Sequence, residues 1–71
     1  MQERLYTTDL TIEELSYINQ AWHLSKIHSY DRYNRLIYVL TWFLHKYPIY
    51  EDNRLSIYKI IDEETQIIRP V

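Results

Sequence analysis

The chain contains no glycine among its 71 residues. Glycine is the residue that most readily adopts positive φ, so every turn must be built from residues that favour negative φ. The chain also has no repeat and no low-complexity linker, which predicts a single compact domain spanning residues 1–71. It has no cysteine for a disulfide or a thiolate zinc site, and so small a domain buries only about 60% of its unfolded surface. Association with another chain is the remaining source of stability.

Aromatic residues are abundant, with eight tyrosines and two tryptophans. An apolar content of 46% is far from the composition of disordered proteins, so the chain is expected to fold. Tyrosine and tryptophan combine an apolar body with a polar tip, which suits half-buried positions and binding surfaces. The alternative is that these residues simply fill a small core.

The first helix signal is a capping box. Thr11 can accept a hydrogen bond from the backbone of Glu14, whose side chain can return the bond, while Leu10 can pack on Leu15. These features predict helix 1 over residues 11–28. Its apolar residues cover about half of the helix circumference, which is wide enough for two neighbouring elements; they are Leu15, Tyr17, Ile18, Ala21, Trp22 and Leu24.

A second helix is predicted over residues 29–47. Ser29 can cap it, Asp31 suits the positive end of its dipole, and Pro48 disfavours helix in the residue before it. The short connection predicts two antiparallel neighbours, and a single unbroken helix through residues 27–30 is the alternative.

Helix 2 has two distinct sides. The predicted core face consists of Tyr33, Leu36, Ile37, Leu40, Phe43, Leu44 and Tyr47. The opposite side mixes basic and apolar residues, namely Arg32, Arg35, Tyr38, Val39, Trp42 and Lys46.

Two β-branched runs flank an acidic turn at the C-terminal end. They predict a β-hairpin over residues 55–70, with a third strand possible at Arg4 to Thr8. The fold class is then α+β, with an antiparallel helical hairpin packed against a β-hairpin. A helix competes with this prediction, because short apolar runs are ambiguous and helical spacing is also present at Ile57, Ile60, Ile61 and Ile68.

The mixed side of helix 2 is the candidate site for a protein partner. Tryptophan and arginine dominate interface hot spots, because an aromatic anchor buries much area and a guanidinium pairs well with carboxylates. The predicted contact residues are the six on that side. The competing interpretation is that the C-terminal hairpin or the N-terminal arm covers this side and places Trp42 in the core.

Nucleic acid is the alternative partner. The segment 22–35 interleaves basic and aromatic side chains, which suits phosphate contact and base stacking; the contact residues would be Lys26, His28, Tyr30, Arg32 and Arg35. The net charge of −2 and the pI near 5.8 argue against this partner, as does the acidic turn at Asp62.

No enzyme site, metal site or cofactor is predicted. His23 and His28 are five residues apart, unlike the four-residue spacing with which two helical histidines share a metal. Phosphate-binding loops need glycine, which is absent. Membrane spans and a signal peptide are not expected, because no apolar run approaches the required length.

The sequence therefore predicts a small non-catalytic interaction module. It would act in the cytoplasm as a regulator or inhibitor that docks on a partner protein, and it would also self-associate as a homodimer. No small-molecule substrate is expected. The lack of glycine and the Ile-, Tyr- and Asn-containing composition would suit a product of a phage or another mobile element.

Overall fold

Three helices joined by short 3-10 segments make up the computed structural model, which describes residues 10–67. No strand is present among these residues, and none of them has positive φ. The connections of a glycine-free chain are thus made by tight helical turns. The elements are α1 (Ile12–Leu24), a 3-10 segment (Ser25–Ile27), α2 (Arg32–Lys46), a second 3-10 segment (Pro48–Asn53) and α3 (Arg54–Ile67).

The α+β prediction is wrong, because α3 occupies the place of the predicted β-hairpin over residues 55–70. Helical spacing puts Ile57, Ile60 and Ile61 on one face, and all three are buried. A strand would have sent alternate residues to opposite faces and left part of this set outside the core. The predicted strand at Arg4 to Thr8 lies outside the described residues, as does Ile68.

The predicted start of helix 1 is confirmed. The Thr11 backbone N–H donates to Glu14 Oε1 at 2.9 Å, and the Glu14 N–H donates to Thr11 Oγ1 at 3.1 Å. The Tyr50 hydroxyl also donates to Glu14 Oε1, at 2.9 Å. The capping box therefore also ties the second 3-10 segment to the beginning of α1.

The break between α1 and α2 shows two helices rather than one unbroken helix. The predicted cap at Ser29 is wrong: α2 starts at Arg32, and Asp31 is its cap, accepting from the Asn34 N–H at 3.0 Å. Ser29 instead accepts from the Asp31 N–H at 3.0 Å. The side chains of Ser29 and Asp31 thus each accept a backbone hydrogen bond in the turn that leads into α2.

α2 ends before Pro48, as predicted. Its buried face agrees only in part with the predicted core face. Tyr33 and Ile37, predicted as core, are exposed, whereas Val39 is fully buried. Both α1 and α3 pack on α2, so the buried face of α2 is the one that lies between these two helices. This face is rotated about the helix axis from the predicted one. The buried apolar core consists of Leu10, Ile18, Ala21, Trp22, Leu36, Val39, Phe43, Leu44, Ile57, Ile60 and Ile61.

Within the described part of the chain, no helix has both the length and the apolar character that crossing a membrane requires. The longest, α2, has 15 residues and carries basic side chains at both ends. The three helices instead use their apolar faces to pack on one another.

Candidate functional site

Arg35, a predicted contact residue, is held inside the helical hairpin. Its guanidinium carbon lies 3.7 Å from the centre of the Trp22 ring. Its Nη2 donates to the Trp22 carbonyl at 2.6 Å, and its Nε donates to the Ser25 hydroxyl at 3.0 Å. Burial, together with the charge of Arg32, lowers the pKa of Arg35. This side chain joins α2 to the end of α1 and is no longer available as a free partner contact.

Arg32 is used in the same way between α2 and α3. Its Nη2 forms an ion pair with the Asp62 carboxylate and donates to the Asp62 carbonyl at 3.0 Å. The same nitrogen reaches the hydroxyl of Thr65 at 3.2 Å. Because the ion pair is partly exposed, it fixes geometry more than it adds stability.

The remaining predicted contact residues have two different environments. Val39 is fully buried between the helices and cannot touch a partner while the fold is intact. Lys46 is exposed, and its ammonium lies 5.6 Å from the Tyr17 ring centre and 5.8 Å from that of Tyr47. A cation over aromatic faces at these distances is weakly held, so Lys46 can still meet an incoming carboxylate.

An aromatic cluster of His28, Tyr38 and Trp42 lies at the surface, beside the connection between α1 and α2. The His28 ring centre is 4.9 Å from that of Tyr38 and 5.4 Å from that of Trp42, and the last two are 5.8 Å apart. Trp42 is half-buried, whereas His28 and Tyr38 are exposed. The structure thus brings together members of both predicted contact sets.

This cluster borders an apolar groove of about 360 Å³ along the seam between α1 and α2. We call it the α1–α2 groove. None of its lining residues carries a carboxylate; they are Tyr17, Gln20, Ala21, Leu24, Ile27, His28 and Trp42. Leu24 is 59% exposed and Ile27 is 79% exposed, so two aliphatic side chains stand open to solvent beside the aromatic cluster.

The groove and α3 lie on different sides of α1. A separate cleft lined by Leu15, Ile18 and Glu64 marks the side of α1 along which α3 runs. Leu24 and Tyr17 project from the opposite side of α1 to Leu15, given the helical repeat. One side of the α1–α2 pair is therefore covered within the chain, and the groove side is not covered by any residue from 10 to 67.

A lysine stands at one end of the α1–α2 groove. Lys46 lies over Tyr17 at that end. Lys26 belongs to the 3-10 segment beside Ile27 and is not a lining residue of the groove. Among residues 10–67, neither lysine forms an ion pair. Of the predicted nucleic-acid contacts, Lys26, His28 and Tyr30 are exposed, while Arg32 and Arg35 have the internal partners described above.

Sequence reasoning missed Tyr17, Leu24 and Ile27 as surface residues. Tyr17 and Leu24 belong to the wide apolar arc of helix 1, whose width indicated two neighbours. Within residues 10–67, Ile18, Ala21 and Trp22 of that arc are buried, whereas Leu24 is exposed. The width of the arc could therefore have indicated a surface site. An apolar arc that is wider than the area packed against the rest of the chain leaves an exposed apolar strip.

The hydroxyl of Tyr47 is buried and has no hydrogen-bond partner among residues 10–67. The ring packs edge-on against Tyr17, with 5.9 Å between centres. Burial, followed by the charges of Glu13 and Glu14, raises the pKa of Tyr47. Burial also raises the pKa of Tyr58, aided by Tyr33 and Asp62. Both phenols are stabilised in the neutral form.

Across the described residues, no three histidine or acidic side chains stand close enough to hold a metal ion. Comparison of the chain with protein-family models, curated proteins and solved structures finds no match. A function for this chain therefore has to be inferred from the geometry of the α1–α2 groove.

Proposed function

We propose that this chain is a small non-catalytic interaction module that acts by docking the α1–α2 groove on a partner protein. The carrying observation is the juxtaposition of exposed Leu24 and Ile27 with the aromatic cluster of His28, Tyr38 and Trp42. Clustered aliphatic and aromatic side chains with few charges among them are typical of interface cores. A small domain with such an exposed surface is suited to act as a regulator or inhibitor in the cytoplasm.

A protein partner is favoured over nucleic acid, because few of the predicted nucleic-acid contacts remain available at the surface. The nucleic-acid hypothesis relies on five side chains, of which Arg32 and Arg35 are engaged inside the fold. Lys26, His28 and Tyr30 remain, and one lysine supplies little of the phosphate neutralisation that such binding needs. The same three side chains can serve at the rim of a protein interface.

A second copy of the chain is the other partner that we propose, following the sequence prediction of a homodimer. A twofold dimer uses the same patch on both copies. Light scattering on the wild type and on Ile27→Glu measures this directly. A dimer that becomes a monomer only in Ile27→Glu would assign the groove to self-association.

The docking proposal is tested with a matched pair of variants. Ile27 lines the groove and is 79% exposed, while Ile49, in the second 3-10 segment, does not line it and is 78% exposed. Wild type, Ile27→Glu and Ile49→Glu are each used as bait in quantitative affinity capture from the native host. We expect a discrete set of proteins to be retained by wild type and Ile49→Glu and lost from Ile27→Glu.

Circular dichroism and urea unfolding serve as the control, because both substitutions are at exposed positions and should leave the helices intact. If Ile27→Glu captures the same proteins in the same amounts as Ile49→Glu, the groove is not the docking surface. A steep loss of generic duplex or single-strand binding with salt would instead support the nucleic-acid alternative.

A further inference from the structure

We propose that a second copy of this chain occupies the α1–α2 groove, with the two α1 helices antiparallel across a twofold axis. This inference rests on the proposed function, because it uses the same surface, and it names the occupant and its direction. Three features of the groove carry it. They are the spacing of its lining residues, the charges around it, and its position on the helical hairpin.

The groove residues of α1 and the following 3-10 segment have the spacing of a coiled coil. They are three, four and three residues apart, which is the spacing of the a and d positions of a heptad; these residues are Tyr17, Gln20, Leu24 and Ile27. Ile27 stays in line with Leu24, since three residues make one turn of a 3-10 helix. The inner side of α1 packs within the chain through Ile18. α1 therefore has a second seam, and this outer seam lies at the surface.

The spacing of the outer seam is the same in both directions along the chain. Two antiparallel copies therefore bring all four positions into contact about one axis, which passes beside residue 22. Tyr17 of each copy then meets Ile27 of the other, and Gln20 meets Leu24. Leu24 and Ile27 are 59% and 79% exposed in the free chain. Pairing thus removes from water the aliphatic side chains that the fold leaves open.

The charges around the groove favour a second copy in the antiparallel direction. Within residues 10–67, the lining contains no aspartate, glutamate, lysine or arginine, so pairing sets no like charges against each other inside the contact. Glu13 follows the same face of α1 one turn before Tyr17, and Lys46 lies over Tyr17 at that end. A parallel pair would place the two Glu13 carboxylates opposite each other, and both Lys46 side chains at one end. An antiparallel pair separates them.

The position of the groove fits an association of two helical hairpins. α3 packs on both α1 and α2, and the groove lies on the side of the pair that no residue from 10 to 67 covers. Two hairpins joined through their open sides make a four-helix bundle, with Trp42 at the border of the contact. A chain with no cysteine for a disulfide gains stability in this way. The seam spans about three turns, so we expect a dissociation constant of about 1–100 µM and an open groove in dilute solution.

The first test measures the dissociation constant of the full chain by sedimentation equilibrium. Ile27→Glu places two carboxylates in each dimer contact and should weaken association about a hundredfold or more, whereas Ile49→Glu should leave it unchanged. Gln20→Leu replaces the amide of the outer seam and should tighten association about tenfold. The matched control is Asn19→Leu, which adds the same side chain at an exposed position outside the groove and should have no such effect.

The second test measures the direction of the two helices with spin labels. Ile12→Cys and Lys26→Cys, at exposed positions outside the lining, are labelled in separate proteins above the dissociation constant. For an axis beside residue 22, the rise of 1.5 Å per residue separates the two labels along the helix by about 30 Å at position 12 and about 12 Å at position 26. A parallel pair would give no separation along the helix at either position. Double electron–electron resonance measures both distances.

Four results would overturn the inference. These are a wild type that stays monomeric at millimolar concentration, a dimer that Ile27→Glu leaves intact, no tightening by Gln20→Leu beyond that of Asn19→Leu, and equal label distances at positions 12 and 26. If the wild type is monomeric but affinity capture depends on Ile27, this inference fails and docking on another protein stands. If the dimer depends on Ile27 but Ile27→Glu and Ile49→Glu capture the same proteins, this inference stands and docking on another protein fails.

Discussion

The two tryptophans occupy opposite environments in the same helical hairpin. Trp22, on α1, is 6% exposed and has the guanidinium of Arg35 stacked on its ring. Trp42, on α2, is half-buried and borders the open α1–α2 groove together with His28 and Tyr38. The arginines that the sequence placed beside Trp42 as contact residues in fact serve the covered side.

Arginine and lysine contact the aromatic residues of this small domain in different ways. Arginine can stack on an indole and also donate to a carbonyl, so one Arg35 side chain shields Trp22 and links α2 to α1. Lys46, a flexible ammonium, lies near aromatic rings on the other side without any comparable set of hydrogen bonds. The side of the helical hairpin that carries Arg35 is packed within the fold, whereas the side that carries Lys46 is available for binding.

The largest expected effect comes from truncating each tryptophan. Trp22→Ala removes a buried ring and leaves Arg35 without its stacking surface, which should cost about 3–5 kcal/mol of unfolding free energy. Trp42→Ala removes a half-buried ring and should cost about 1–2 kcal/mol. Urea unfolding followed by circular dichroism measures both. Equal losses would contradict the contrast between the covered side and the open side.

A milder pair of variants guards against complete unfolding of Trp22→Ala. Trp22→Phe leaves Trp42 as the single tryptophan, and Trp42→Phe leaves Trp22. Acrylamide should quench the fluorescence of the first variant more strongly than that of the second, because Trp42 is half-buried whereas Trp22 is only 6% exposed. The reverse order would show that the groove is covered in solution.

The next effect concerns the two arginines. Arg35→Lys keeps the charge but loses the stacked plane and the paired donors, so we expect a loss of about 1–3 kcal/mol. Arg32→Ala removes a partly exposed ion pair with Asp62 and should cost less than about 1 kcal/mol. Chemical unfolding of both variants is the measurement. A larger loss for Arg32→Ala would assign the main link to the α2–α3 contact instead.

Smaller effects are expected at the rim of the groove. Ile27→Ala and Lys46→Ala change side chains that are exposed in the free chain, so each should alter the unfolding free energy by less than about 0.5 kcal/mol. Thermal unfolding of the two variants checks this. A substantial destabilisation by either one would mean that the groove is packed within the chain rather than open.

The smallest effect is a pH dependence that involves Tyr47. Its pKa is raised in the folded state above the ordinary value of 10.0, so the folded chain holds this proton more tightly than the unfolded chain. The stabilisation is present below pH 10 and is lost as pH rises through the folded pKa. Tyr47→Phe should make the decline above pH 10 shallower, while Tyr58 contributes a similar decline in both proteins.

Stability at neutral pH provides the control for Tyr47→Phe. The hydroxyl has no hydrogen-bond partner among residues 10–67, so its removal should leave the unfolding free energy unchanged or slightly higher. An alkaline decline identical to that of the wild type would show that Tyr47 does not titrate differently on folding.

Part of the candidate site could be predicted from the sequence. Tyr38, Trp42 and His28 are all predicted contact residues, and the structure places their rings together. The groove that they border could not be predicted, because it depends on which edge of the wide apolar arc on α1 faces α3. Helical periodicity identifies the apolar side of α1. It does not determine which part of that side packs on α2, which part packs on α3 and which part stays exposed.

The third helix shows a similar limit. Ile57, Ile60 and Ile61 have β-branched side chains that favour strands, yet their spacing also matches a helix. Packing of all three into the core decides for the helix. The lack of glycine agrees with this outcome, because the tightest hairpin turns need positive φ.

The start of α1 at its capping box and the end of α2 before Pro48 follow from the local sequence. Both are set by hydrogen bonds or steric contacts within a few residues, so no distant part of the chain is needed. The helical state of α3, the burial of Val39 and the packing of Arg35 on Trp22 instead depend on how the three helices pack together. These outcomes depend on contacts between residues far apart in the chain, where burial outweighs local preference.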